Sequence, residues 1–365
     1  MDQLHHTMPF EVTYRVMRVS RVTGMETGRF DGILDGGTIS RNQDTSTVES
    51  ADLEYHGDIS EFGADLIRVW ADLTWPDGTS ESIPLGTFLP DGPQRSVNGP
   101  ISTTPVSCYG RLRELSDAHF AQPVSVPAGS NPVDVAASIC RDVGLEVLPY
   151  EPCPYRTGSS MTLGMGSSDS ESTKLGAVNS LLTMAGWVSA RTDPMGRVSL
   201  KPYREPTEQA PAWVFTEGSG ARFCKEMTDE RDWFDVPNQV ICVYADQDHE
   251  YIGIAVDDST GPYSTRSRGR VISRTERYSD IPKDKTRAEL IAMANDKAAQ
   301  LLVESRSVIH RLTFTHIYAP IGVGDVIEMH YPTGHVDGRF AVRTQTLHLT
   351  AGLSVDTEAR YFERS

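Results

Sequence analysis

The sequence lacks any apolar run near the ~20 residues that a membrane-spanning helix needs. Its start, MDQLHHTMPF, lacks the basic and apolar regions of a secretory signal. The chain is therefore expected to be made in a cytoplasm, with no signal peptide and no membrane insertion. Catalytic and nucleotide-binding signatures are missing too: there is no GxxxxGK[ST], GxGxxG, HExxH or GxSxG, and no EF-hand spacing. That removes the common enzyme readings, and the sequence supplies no catalytic, cofactor-binding or metal residues. Cysteine is scarce. Cys108, Cys140, Cys153, Cys224 and Cys242 are odd in number and scattered, with no CxxC and no histidine at ligand spacing. They are expected to be buried or inert thiols. Cations are outnumbered as well: 34 Lys and Arg face 50 Asp and Glu, for a formal net charge of −16. This balance argues against tight, sequence-independent nucleic-acid binding, which needs cations to neutralise phosphates. A surface past which DNA slides without sticking is compatible with it.

What is present is an ordinary soluble composition rich in turns. The chain has 365 residues, 38% of them hydrophobic and 23% charged, with 30 Gly and 22 Pro. That length suggests roughly two to four domains. The first 120 residues read as strands: EVTYRVMRV (11–19) alternates apolar and polar residues, and TVESADLEY (47–55) does so more loosely. LIRVWADLTW and IPLGTFL form a hairpin around Pro76, Asp77 and Gly78. A strand ISTTPVSCYG and a short helix RLRELSDAHF close this barrel or sandwich.

Beyond Gln122 the character changes. SNPVDVAASICRDVGL has a polar cap at Ser130 or Asn131, Pro132 at the first helical position and a terminating Gly144. TKLGAVNSLLTMAG predicts a second helix ending at Gly186, and WVSARTDPMGRVSLKPY a hairpin around Asp193 to Gly196. In the last third, NQVICVYADQ, YIGIAVDD and RVISRTERYS read as strands. A long helix (Asp284 to Arg306) follows, then SVIHRLTFTHIY, VGDVIEMHYP, FAVRTQTLHLT and GLSVDTEARYF.

Several stretches invite a chemical reading, and each has a plainer one. His5 and His6 are expected in a solvated tail, and ADQDHEY with Asp246, Asp248, His249 and Glu250 reads as a polar turn more readily than a cation site. The serine-rich GMGSSDSES reads as linker or helix cap. His310 and His316 share a strand face but stand roughly 20 Å apart at ~3.3 Å per residue, too far to chelate one ion. Asp229, Glu230, Asp232 and Asp235 in TDERDWFDVPNQV are what a glycosidase would want. Here they surround Trp233 and Phe234 and are expected to form a loop with an aromatic anchor able to touch a neighbouring subunit. DDSTGPYSTRSRGR (257–270) reverses the local sign of charge. Read as a loop and strand edge, it projects Arg266, Arg268 and Arg270 to one side as a contact row for acidic residues on its own or a neighbouring subunit.

In their order, these pieces resemble the tail hub family, the baseplate hub or tail-associated proteins of bacteriophages and related contractile injection machines. PVSCYGRLRELSD, SNPVDVAASICRDVGL and KLGAVNSLLTMAGWVSARTDPMGRVSLKPY carry the resemblance. It continues through DVPNQVICVYADQ, DDSTGPYSTRSRGRVISRTERYSDI and IGVGDVIEMHYPTG, and covers nearly the whole chain. It implies a mainly β protein with an α+β insert: two tube-type β-barrel or sandwich domains flanking a small helix-hairpin domain, plus a long supporting helix (284–306). The corresponding ranges are 1–121, 122–205 and 206–365. It implies a homotrimeric ring at the tail tip or baseplate of a virion that meets tail tube and distal tail proteins and passes DNA through its lumen without enzymatic activity. The sequence stops at Ser365, straight after the last predicted strand, so wall digestion and receptor binding are expected of a separate spike, fibre or lysin protein. A hub outside a virus and a tail-associated peptidoglycan-degrading enzyme are the alternatives.

Overall fold

The computed structural model of the protein describes residues 8–45, 47–56, 63, 65–91, 104–164, 172–204, 209–232, 234–245, 249–278, 286–305 and 307–364. The chain divides into two compact units, one of residues 1–226 with 314–358, the other of 227–313 with 359–365.

The first unit opens with β1 (Glu11–Val19), β2 (Glu26–Arg29), β3 (Ile33–Asn42), β4 (Glu49–Tyr55), β5 (Leu66–Thr74), β6 (Ser80–Pro90) and β7 (Thr104–Gly110). Helix α1 (Leu112–Asp117) leads into the insert: β8 (Val124–Val126), α2 (Pro132–Asp142), β9 (Met161–Leu163), α3 (Lys174–Met184), β10 (Arg191–Thr192) and β11 (Val198–Ser199). Asn131 caps α2 by accepting from the Val133 N–H, and Thr173 caps α3 through the Gly176 N–H, so two orphan donors are satisfied locally. The chain continues with β12 (Trp213–Thr216) and β13 (Phe223–Asp232).

The second unit carries β14 (Gln239–Ala245), β15 (Glu250–Val256), a one-turn helix α4 (Thr265–Arg268), β16 (Ser273–Tyr278) and α5 (Arg287–Ser305). Thr286 and Glu289 form a reciprocal capping box at the start of α5. Strands β17 (Ser307–Ile317), β18 (Val326–Tyr331), β19 (Val336–His348) and β20 (Ser354–Arg364) finish the chain. β13, β17 and β20 each run from one unit into the other.

The architecture is mainly β, dominated by one large sheet ordered β19-β3-β4-β7-β6-β5-β1-β2, which β20, β17 and β13 extend past β19. Antiparallel pairing of β19 with β3, from Thr344 opposite Asn42 to His348 opposite Thr38, ties the late strands to the early ones. They also share a core, since Leu347, Leu353 and Val355 pack with Ile39, Leu53, Val69 and Phe88. The insert gathers a second core around Val133, Ala136 and Cys140 of α2 and Val178, Leu181 and Leu182 of α3.

The sequence reading misses β2, β3, β8, β9, β12 and β13. β2 is short and polar, with nothing to alternate. β3 holds Gly36 and Gly37 at a register shift between Leu34 and Thr38, a bulge that breaks period-2 alternation.

Candidate functional site

In the second unit, β14 is central, pairing antiparallel with β15 and parallel with β16. Alternation along the strands sorts the side chains onto two faces. One is covered by α5: Val240 and Cys242 pack with Ala298, Leu301 and Leu302, and Tyr244, Ala255 and Tyr278 flank them. Gly253 lies against the helix so closely that a Cβ there would sit 2.1 Å from the Ala294 carbonyl carbon. No helix covers the opposite face among the described residues, although Val243 on it is buried. On it Ile241 stands beside Ile254 and Val243 beside Ile252, while Ile252, Ile254 and Val256 remain 47%, 52% and 44% exposed. The free edge of β15 is partly closed, because Asn295 Oδ1 of α5 accepts the Ile254 N–H at 3.1 Å.

The arginine stretch lies in the same unit, and its geometry differs from the strand edge read from the sequence. Ser264 accepts from the Ser267 N–H and starts a helical turn that Gly269 closes at φ 63°, so Arg266 and Arg268 sit on α4 and do not line up along an extended chain. Thr265 fixes the turn by donating from both its N–H and its hydroxyl to the Asp257 carbonyl. Arg268 Nη1 donates to the Val236 carbonyl at 3.0 Å. Arg270 Nη2 donates to the Phe234 carbonyl at 2.9 Å, with its guanidinium 4.1 Å from the centre of the Phe234 ring. Three of the expected contact residues, Phe234, Arg268 and Arg270, are thus brought together. The described partners of the two arginines in this knot are backbone carbonyls and aromatic rings, Tyr263 among them, where the sequence reading expected carboxylates. Arg266 is exposed, Phe234 is 65% exposed, and Trp233 lies outside the described residues. Buried Asn238 stitches the two loops by accepting the Ile272 N–H and donating to the Arg270 carbonyl.

The carboxylate cluster also takes a form the sequence reading did not anticipate. Asp229 and Glu230 lie on β13, adjacent in a strand and so on opposite faces. Asp229 bonds to the Nε2 of buried His310, and Glu230 pairs with Arg311 Nη1 at 3.3 Å. Two carboxylates engaged with different partners on opposite faces do not flank one scissile bond. Asp235 occupies the following turn, and the Asp232 side chain lies outside the described residues. His5, His6, Asp246, Asp248 and residues 165–171 of the serine-rich segment also lie outside them. Among the described residues no group of three or more His, Cys, Asp or Glu is placed to hold a metal, and no helix is long and apolar enough to cross a membrane.

In the first unit, His316 is buried in an aromatic nest with Phe215 and Phe314. Its Nδ1 and Nε2 contact the Ile317 carbonyl and the Thr357 hydroxyl, each at 2.8 Å. Burial pushes its pKa down to about 4. Cys108, Cys140, Cys153 and Cys242 are buried, as expected, and burial raises the Cys140 thiol to about 12. Cys224 is exposed.

No protein-family model matches the chain, and no curated protein matches it. Solved structures do. Over 95% of its length the chain matches 96% of a tail protein from Neisseria meningitidis MC58, with a TM-score of 0.63 at 14% identity. Over 96% of its length it matches 98% of the 43 kDa tail protein of prophage MuSo2 from Shewanella oneidensis, with a TM-score of 0.61 at 10% identity. It also matches 58% of a chain in the half-lidded Francisella PdpA–VgrG complex, over 96% of its own length, with a TM-score of 0.57 at 7% identity. The fold is that of phage tail and VgrG-related proteins, the grouping to which the sequence resemblance pointed.

Proposed function

We propose that the protein is a structural, non-enzymatic component of a virion, a tail tip or baseplate hub that joins the tail tube to the tip complex. Three copies form a ring whose channel passes the genome. The observation that carries this reading is the end-to-end likeness in fold to two phage tail proteins at TM-scores of 0.63 and 0.61. In this scheme residues 1–121 and 206–365 supply the tube-type β domains, and 122–205 is the peripheral insert. The aliphatic face of β15, too exposed for an ordinary solvated sheet face, meets a neighbouring subunit together with Phe234, Trp233, Arg266, Arg268 and Arg270. The net charge of −16 suits a lumen that repels DNA in transit. Tube and distal tail proteins and a separate spike, fibre or lysin are the other partners.

Electron microscopy of the purified protein, alone and mixed with the tail tube protein, tests the proposal. A three-fold ring with an open centre is expected. A monomer at high concentration that binds no tail protein overturns it.

The likeness to the Francisella PdpA–VgrG complex favours one second reading, a hub in a non-viral injection system. Neighbouring genes separate the two: capsid and portal for a virus, toxin and secretion ATPase for the alternative.

A further inference from the structure

A cavity of about 420 Å³ opens within the first unit, in the range of small-molecule sites. Three stretches far apart in sequence wall it: the early strands with Arg41, Glu49, Ile83 and Pro84, the insert hairpin from Arg191 to Pro194, and the segment from Tyr318 to Asp325 before β18. Its carboxylates have partners inside the protein. Asp193 accepts from Arg197 Nη2 at 2.6 Å and Nε at 2.9 Å, and Asp325 accepts the Gly322 N–H at 2.8 Å. Glu49, buried, accepts from the Thr192 hydroxyl at 2.7 Å, and desolvation raises its pKa against the opposing pull of Arg41.

The cations are less fully engaged. Arg41, 8% exposed, donates from Nη2 to the Leu85 carbonyl, but its buried Nε has no hydrogen bond and only an ion-pair contact of 3.5 Å with Glu49. A buried N–H left in that state is costly. Arg191 donates from Nη1 to the Val323 carbonyl at 2.6 Å and feels the Asp325 charge, and its guanidinium has five donors in all. Its place at the wall depends on Gly324, where a Cβ would lie 1.6 Å from Nη1. The lining also holds the apolar Ile83, Val188 and Ile321, beside Thr192, Ser199 and a third cation, Lys201. The cavity therefore offers unfilled donor positions on Arg41 and Arg191 beside apolar side chains.

We propose that this cavity binds a carboxylate carried on a compact apolar group, the carboxylate between Arg41 and Arg191 and the apolar part against Ile83, Val188 and Ile321. The carboxylate belongs either to a free small acid or to the C-terminal residue of a partner polypeptide; the chemistry recognised is the same.

Isothermal titration with acetyl-Leu-Phe as free acid, the same dipeptide as C-terminal amide, and 4-phenylbutyrate tests the proposal. One acid is expected to bind 1:1 at least about tenfold more tightly than the amide, since charge-assisted bonds to arginine are lost with the carboxylate. Binding of both acids marks a free-acid site, and binding of the peptide acid alone marks a chain-terminus site. Arg191→Gln should weaken acid binding about tenfold without changing that of the amide. If that variant fails to fold, the acid–amide comparison on the unaltered protein still decides. Equal binding of acid and amide, or no binding by any probe at about 10 mM, the weak limit for a specific site, overturns the proposal.

Discussion

His316 shows how one side chain can govern the response of the first unit to acid. It is buried against Phe215 and Phe314, where a charge would be poorly solvated, and burial holds the imidazole pKa at about 4, well below its ordinary 6.5. A histidine with a depressed folded-state pKa costs nothing above pH 6.5, where both states are neutral. As pH falls from 6.5 to 4 the unfolded chain gains a proton that the folded chain refuses, and stability is lost, in total about 3 kcal/mol. Denaturant unfolding at pH 7 and pH 4.5 should show most of this loss, and His316→Gln should flatten it while lowering stability at pH 7. Asp356 acts in a different window. Burial pushes its pKa up, but hydrogen bonds from Thr315 and His348 outweigh this and hold it below its ordinary value. Its contribution is present above pH 3.8 and lost only below. The thiols give a second check. A disulfide-forming thiol reagent should modify Cys224 in the folded protein and reach Cys108, Cys140, Cys153 and Cys242 only on unfolding. Sequence reading placed the five cysteines as inert thiols but could not single out Cys224, whose exposure depends on what lies beside β13.

Elements succeeded or failed in sequence according to how local their signals were. The signals of α2 and α3 lie in or beside the helices themselves, so Asn131 and Pro132 at the start of one and Gly186 at the end of the other suffice to find them, while the Thr173 cap emerges only in the structure. The stretch around α4 has the alternation of a strand in its arginines, yet Ser264 and the Asp257 carbonyl, eight residues before Thr265, hold it as a helical turn. β13 carries Asp229, Glu230 and Arg231 in succession and shows no apolar period; only pairing along the sheet makes it a strand. The contact between β15 and α5 yields a strong prediction. Gly253→Ala forces a methyl into the α5 backbone and should cost about 3 kcal/mol, seen as early loss of amide protection in β15 and α5. The opposite face of the same strand should behave otherwise. Ile252→Asp with Ile254→Asp replaces exposed side chains, so folding should survive within about 1 kcal/mol while association with a neighbouring subunit is lost. Analytical ultracentrifugation alongside thermal unfolding separates the two effects.

At the scale of the whole molecule, the proposed association should depend on charge. If Arg266, Arg268 and Arg270 lie at a subunit contact, replacing all three with Ser should weaken assembly and reduce its dependence on salt, measured by sedimentation between low and high ionic strength. Unchanged assembly with unchanged salt dependence removes them from the interface. The sequence alone determined the mainly β character, the insert with its two capped helices, the long helix and the acidic balance, because alternation, capping and composition are local properties or sums over residues. It also carried the order of elements that resembles tail hubs. Tertiary structure decided the rest. Pairing of β19 with β3 merges early and late strands into one sheet and one core. The fold turns the arginine row into a knot around Phe234, separates Asp229 from Glu230, and assembles a cavity from Arg41, Arg191 and Tyr318. The shared sheet, the knot and the cavity each join residues tens to hundreds of positions apart. Such contacts depend on which strands find each other, and no short-range pattern in the chain encodes that choice.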